Sequence, residues 1–105
     1  MKVKILKLPY ELYEYYKTCV RDNENITRDQ AARKLTRNVL LAKEVPPRNT
    51  LEKLKGNKMY QYGFLHIVVR RGRIVHLNNK GRLDEEWVKD EQRYQELTKK
   101  LGIVD

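Results

Sequence analysis

Cysteine is almost absent from this chain. Cys19 is the single one, so no disulfide can form within the chain and a cystine-stapled fold is excluded. One thiol among apolar positions at helical spacing reads as packing rather than as a nucleophile, and it suits a reducing, cytoplasmic setting. Long apolar runs are also missing. No segment approaches the roughly 20 residues that span a bilayer, and the opening MKVKILKLPYE lacks the apolar core and cleavage site of a signal peptide. Repeats and low-complexity tracts are not found. What remains fits one domain, residues 1–105, with a modest core that needs neither disulfides nor a metal.

Acidic residues are fewer than basic ones, 14 against 23, for a net charge of +9. The imbalance is uneven. Residues 84–105 hold seven acidic and four basic side chains, a balance of −3, so the other 83 residues carry +12. A basic body with an acidic tail favours a polyanionic partner, nucleic acid ahead of a membrane surface. An acidic host protein is the alternative.

Taken in order, Met1–Leu8 alternates loosely and reads as a short strand ended by Pro9, which favours the first helical position. A helix is expected over Tyr10–Arg21, with Leu12, Tyr16, Cys19 and Val20 at helical spacing and four tyrosines at 10, 13, 15 and 16. Tyrosines on the exposed side of a basic protein are able to stack on unpaired bases. Thr27 and Gln30 announce a second helix, running to about Lys43, in which Thr27 accepts from the Gln30 amide. Its stripe is Ala32, Leu35, Val39 and Ala42, and Arg28, Arg33, Lys34 and Arg37 occupy other faces. Val45-Pro46-Pro47 breaks the helix, making Glu44–Asn57 a connector with one short turn at Leu51–Lys55 capped by Thr50. A β-meander follows from Lys58 to Asn78, and Asn78-Asn79-Lys80-Gly81 reads as a turn. A closing helix is expected over Asp84–Leu101, with Asp84, Glu85 and Glu86 at its positive end and Lys99 and Lys100 at its negative end. Its apolar stripe, Trp87, Tyr94, Leu97 and Leu101, packs on the sheet or seeds a homodimer.

The meander holds the sharpest chemistry. A two-residue Arg71-Gly72 turn would put Arg71 at positive φ, pairing Arg70 with Arg73, Val69 with Ile74 and Ile67 with His76. A three-residue Arg70-Arg71-Gly72 turn places only Gly there, and lines one face with Leu65, Ile67, Val69, Val75 and Leu77. The second register is favoured on turn chemistry and patterning. It sets His66 directly opposite His76, a pair able to act as acid and base on a phosphodiester with arginine stabilising the developing charge. A metal would need further ligands, and none has suitable spacing. Arg70, Arg71 and Arg73 at the tip repel one another unless an anion sits between them, and phosphate matches arginine's planar fork.

Two families are similar in part. IleLeuLysLeuPro-Tyr-Glu-Leu, a helix, a turn and a second helix from Thr27 resemble ribbon-helix-helix DNA-binding proteins over about 40 residues. That resemblance implies a dimerising strand whose outward side chains, here Ile5 and Lys7 with Val3 beyond, face the major groove. Over Ile26–Gly81, ITRDQAARKL, a basic connector and YQYGFLHIVVRRGRIV resemble small prophage and plasmid proteins built like toxin ribonucleases of the RelE and BrnT kind. That resemblance implies helices on a curved antiparallel sheet, with RNA cut by basic and histidine side chains. Related sequences often have His and Arg on the first helix, where this chain has Tyr10, Glu11 and Tyr13, which turns the implication from cleavage toward binding.

The expectation is therefore an α+β domain, two N-terminal helices and one C-terminal helix on a small antiparallel meander. It is expected to bind RNA or DNA through Arg70, Arg71 and Arg73, supported by Arg33, Lys34 and Arg37, without a cofactor. An endoribonuclease using His66 and His76 is the rival.

Overall fold

The computed structural model describes residues 4–19, 25–45, 56–79 and 89–103. Helices α1 (Tyr10–Cys19) and α2 (Arg28–Leu41) come first, then strands β1 (Lys43–Val45), β2 (Lys58–Tyr62), β3 (Leu65–Arg70) and β4 (Arg73–Asn79), then helix α3 (Glu91–Lys100). The strands form one antiparallel meander in the order β1-β2-β3-β4. This is the α+β class expected from the sequence.

The helix starts follow their local chemistry. Pro9 sits just before α1, where its carbonyl accepts from the amides of Leu12 at 3.1 Å and Tyr13 at 3.0 Å. Thr27 caps α2 as expected, its hydroxyl accepting from the Gln30 amide at 3.2 Å. Asp90 caps α3 by accepting from the Arg93 amide at 3.1 Å. That cap puts the start of α3 later than expected; Asp84, Glu85, Glu86 and Trp87 lie outside the described residues. Val20 and Arg21, the turn Leu51–Lys55 and its cap Thr50 lie outside them too. At the end of α2, Ala42 is already extended, with φ −73° and ψ 161°. The chain continues straight into β1, so Lys43–Val45 is an edge strand and not part of a helix or connector. Asn78 and Asn79 belong to β4, paired with His66 and Leu65, and not to a turn.

The hairpin register corrects the expectation as well. Arg70 pairs with Arg73 and Val69 with Ile74, so the turn is the two-residue Arg71-Gly72, with φ 50° at Arg71 and 76° at Gly72. Both central residues at positive φ make this the turn whose twist matches that of the strands. A bulge at Val75 then slides the pairing, so Ile67 faces Leu77, Val68 faces His76 and His66 faces Asn78. The histidines are not opposite each other. The bulge itself is favourable. Without it, a two-residue turn would set His76 opposite Ile67 on the core side, and Leu77 would turn away. Burying Leu77 contributes about 1.5–3 kcal/mol, and keeping an imidazole out of the core saves about 1–3 kcal/mol more. The left-handed Arg71 costs about 1–2 kcal/mol, and seating Ile74 in place of the smaller Val75 on the core face offsets roughly 0.8 kcal/mol of it.

One sheet face thus carries Leu65, Ile67, Val69, Ile74 and Leu77, with Ile74 where Val75 was expected. It packs against Tyr16 of α1, Ala31, Ala32 and Leu35 of α2, and Leu8. Met59, Gln61, His66 and Val68, on the other face, are buried too. The N-terminal segment is tied in at both sides. Lys7 forms a single parallel bridge beside Arg73, its amide donating to Gly72 O and its carbonyl accepting from the Ile74 amide, both at 2.9 Å. On the α2 side, the Leu6 amide donates to Thr36 Oγ1 at 2.9 Å, and Arg28 Nε donates to Leu8 O at 2.9 Å. This segment is a strap between hairpin and helix.

Candidate anion site at the hairpin tip

The tight turn decides where the arginines go. Arg70 and Arg73 face each other across the last rung, Arg71 projects from the turn, and the strap brings Lys7 alongside Arg73. These four cations line one open recess of about 420 Å³. None has a carboxylate within ion-pair distance among the described residues. Two arginines directly opposite on adjacent strands destabilise a sheet. Their placement, together with a left-handed arginine, holds positive charge at high local density. A tetrahedral oxyanion can accept from several guanidinium forks at once, and that is the chemistry the recess offers. A second groove, of about 690 Å³, shares Lys7 and Arg73 with the recess and runs past Pro9 and Tyr10 to Arg28.

The helix cations expected to support the tip go elsewhere. Arg37 is buried, its Nη1 donating to Thr98 Oγ1 at 2.8 Å and its guanidinium lying 4.0 Å over the Tyr94 ring. Arg33 pairs with Asp29 at 2.9 Å and donates from Nη1 to Leu101 O. Both fasten α3 to α2. Lys34 is half-buried on the same helix. The structure therefore brings Arg70, Arg71 and Arg73 together and adds Lys7, with Arg28 in the adjoining groove; sequence reasoning placed neither at the tip. Nothing local in the sequence could place Lys7: its position follows from one backbone bridge to a residue 66 positions away.

The histidines separate in environment as well as in register. His66 is 2% exposed, opposite Gln61 and Asn78. His76 is exposed, opposite Val68. The two are diagonal across β3 and β4, and not directly opposite. The expected facing acid–base pair is not assembled.

On α1 the tyrosines divide. Tyr13 donates to Ile26 O at 2.7 Å, the Tyr15 hydroxyl accepts from the Asn79 amide at 2.9 Å, and Tyr16 is buried. Tyr10 is exposed at the groove. Hydrogen bonding to the neighbouring Glu14 carboxylate pushes the Tyr10 phenol above its ordinary pKa. The same bond, with a further one from Lys17, holds Glu14 below the usual carboxylate range. Among the described residues, no group of three or more His, Cys, Asp or Glu side chains could hold a metal ion, and no helix is long and apolar enough to cross a membrane.

Comparison with known proteins gives the lineage. The family model described as YorE matches residues 6–100. The chain belongs to the YorE family. It is similar to the SPbeta prophage-derived uncharacterized protein YorE of Bacillus subtilis (strain 168), with 37% identity over 107 residues, covering 98% of this chain and 86% of the relative. The YorE family thus includes a protein of prophage origin, and the expectation of a phage-type protein is met at that level. No solved structure matches the chain. The matched stretch in this YorE-family chain takes in the whole recess, from Lys7 to Arg73.

Proposed function

We propose that this protein binds nucleic acid through its phosphates, at the recess formed by Lys7, Arg70, Arg71 and Arg73. The observation that carries the reading is the convergence of four cations on one open recess lined by no carboxylate. Cations spread for solubility stand apart or pair with acids. Here the backbone forces them together at the expense of turn strain and cross-strand repulsion, and a phosphate chain relieves the repulsion. The surrounding net charge of +9 adds long-range attraction for any polyanion.

The test is a binding titration over a salt series, with each sample also run on a denaturing gel. Four phosphate contacts give a slope of log K against log salt of about −3 to −4. Replacing Arg70, Arg71 and Arg73 together by alanine should flatten that slope by about 2–3. Strands are expected to stay intact on the gel, because no facing acid–base pair is assembled. Absence of binding at low salt, or a slope indifferent to the triple change, overturns the reading. Capture of an acidic protein after nuclease treatment would then take its place.

A further inference from the structure

Tyr10 is the tyrosine of α1 that the fold does not use. It is 59% exposed, although α1 carries it beside a core that buries Tyr16. Its ring is nonetheless held in place. The centroid lies 6.0 Å from that of Tyr13 at an interplanar angle of 60°, and Tyr13 is itself anchored to Ile26 O. The Lys17 ammonium, paired with Glu14 at 3.3 Å, lies 4.8 Å over the Tyr13 ring and steadies it further. An aromatic ring fixed before binding loses little freedom when a partner stacks on it.

The surroundings name the partner. The groove beside Tyr10 has apolar Leu6 and Leu8 in its lining, and cations at Lys7, Arg73 and Arg28. Its volume falls in the range of about 300–1,000 Å³ typical of small-ligand sites, enough for a nucleotide. Asp29, the acidic residue of the lining, has its charge met by Arg33. We infer that the groove takes single-stranded nucleic acid, with one unpaired base stacked on Tyr10 and the adjoining phosphates held at Lys7–Arg73 and at Arg28. This rests on the phosphate-binding reading of the tip and adds the class of strand. A duplex shows its base edges and backbone but hides its base faces, so it has nothing to offer Tyr10.

The experiment uses the full chain, as wild type, Tyr10→Ala and Tyr10→Phe. The probes are a fluorescent oligouridylate of about a dozen nucleotides, a duplex of equal length and uridine monophosphate as competitor. Tyr10 is exposed and begins a helix, so alanine should leave the fold unchanged, which a melting curve verifies. Expected are tighter binding of the single strand than of the duplex, and a loss of roughly 5- to 150-fold for Tyr10→Ala on the single strand alone. The salt slope should not change, and Tyr10→Phe should keep the affinity. Equal affinity of wild type and Tyr10→Ala, with salt-dependent binding intact, overturns the inference and leaves the phosphate reading standing. Loss of salt-dependent binding to both probes in the wild type overturns the two together. Competition by the mononucleotide at the oligonucleotide's own concentration would make a free nucleotide the ligand and overturn the strand.

Discussion

Arg71→Asn is expected to raise stability and weaken anion binding at once. Arg71 sits at φ 50°, in the first central position of a two-residue turn. A left-handed residue with a long side chain costs about 1–2 kcal/mol, and asparagine is among the few residues that tolerate this region. Relief of half or more of the strain gives about 1 kcal/mol, and losing one charge near the Arg70–Arg73 rung adds a few tenths. For a chain of this size, about 1 kcal/mol moves the melting temperature by about 4–8 °C. Arg71→Gly is a useful contrast. Glycine is equally at ease at positive φ, but the entropy it loses on folding, about 0.5–1 kcal/mol, offsets most of the gain. On the binding side, one lost phosphate contact should reduce the salt slope by about 0.7–0.9. Thermal melts and salt titrations of the same three proteins check both halves. If Arg71→Asn melts at or below the wild-type temperature, the strain argument is wrong. If its slope equals that of wild type, Arg71 touches no phosphate, and the left-handed arginine has no functional reason to be there.

Three other perturbations have defined outcomes. Arg37→Ala removes a charge-assisted bond to Thr98 and the stacking on Tyr94 from a buried position. It should lower the urea-derived stability by about 2–4 kcal/mol with no change in salt slope, whereas a direct phosphate contact would change the slope. Thr36→Val leaves the Leu6 amide without its acceptor and should cost about 1–3 kcal/mol, with faster hydrogen exchange at that amide. Tyr62 and Tyr60 have phenols raised above their ordinary pKa by burial, with smaller contributions from neighbouring Tyr94 and Glu44 respectively. The folded state therefore holds these protons more tightly than the unfolded one. The associated stability is present below the ordinary phenol pKa of about 10 and is lost as pH rises through the folded values. Denaturant midpoints measured from pH 8 to 11 should fall at the alkaline end, and less steeply for Tyr62→Phe.

The parts of the fold that were legible in the sequence are those decided by neighbours along the chain. Thr27 caps α2 because the Gln30 amide is three residues away, and the meander is visible because β-branched residues cluster between turn signals. The hairpin register was not legible, because it sets a strained Arg71 against the burial of Ile74, in place of Val75, under helices distant in sequence. The direct opposition of His66 and His76 failed with it, since a single bulge residue changes every partner beyond it. Charge alone could not tell Arg37 from Arg71. One is buried on an aromatic ring and the other stands on a turn, and only the position of α3 separates them. Lys7 joined the site through a backbone bridge that carries no side-chain signature.

Helix α2 also sets when folding can finish. Its Thr36 and Arg28 hold the strap at Leu6 and Leu8, while Arg33 and Gln30 reach the carbonyls of Leu101 and Gly102, 68 and 72 residues further along. A growing polypeptide can form the helix and the strap early, but the opposite flank of α2 stays open until the ribosome has released residue 102. Such distant closures slow folding, and they leave the nascent chain exposed on that flank through most of its synthesis. A chain ended before Leu101 would lose the two carbonyls that Arg33 and Gln30 reach, and with them part of the hold between α2 and α3. It should turn over faster in the cell than the full-length protein, even though every residue of the cationic recess would be present.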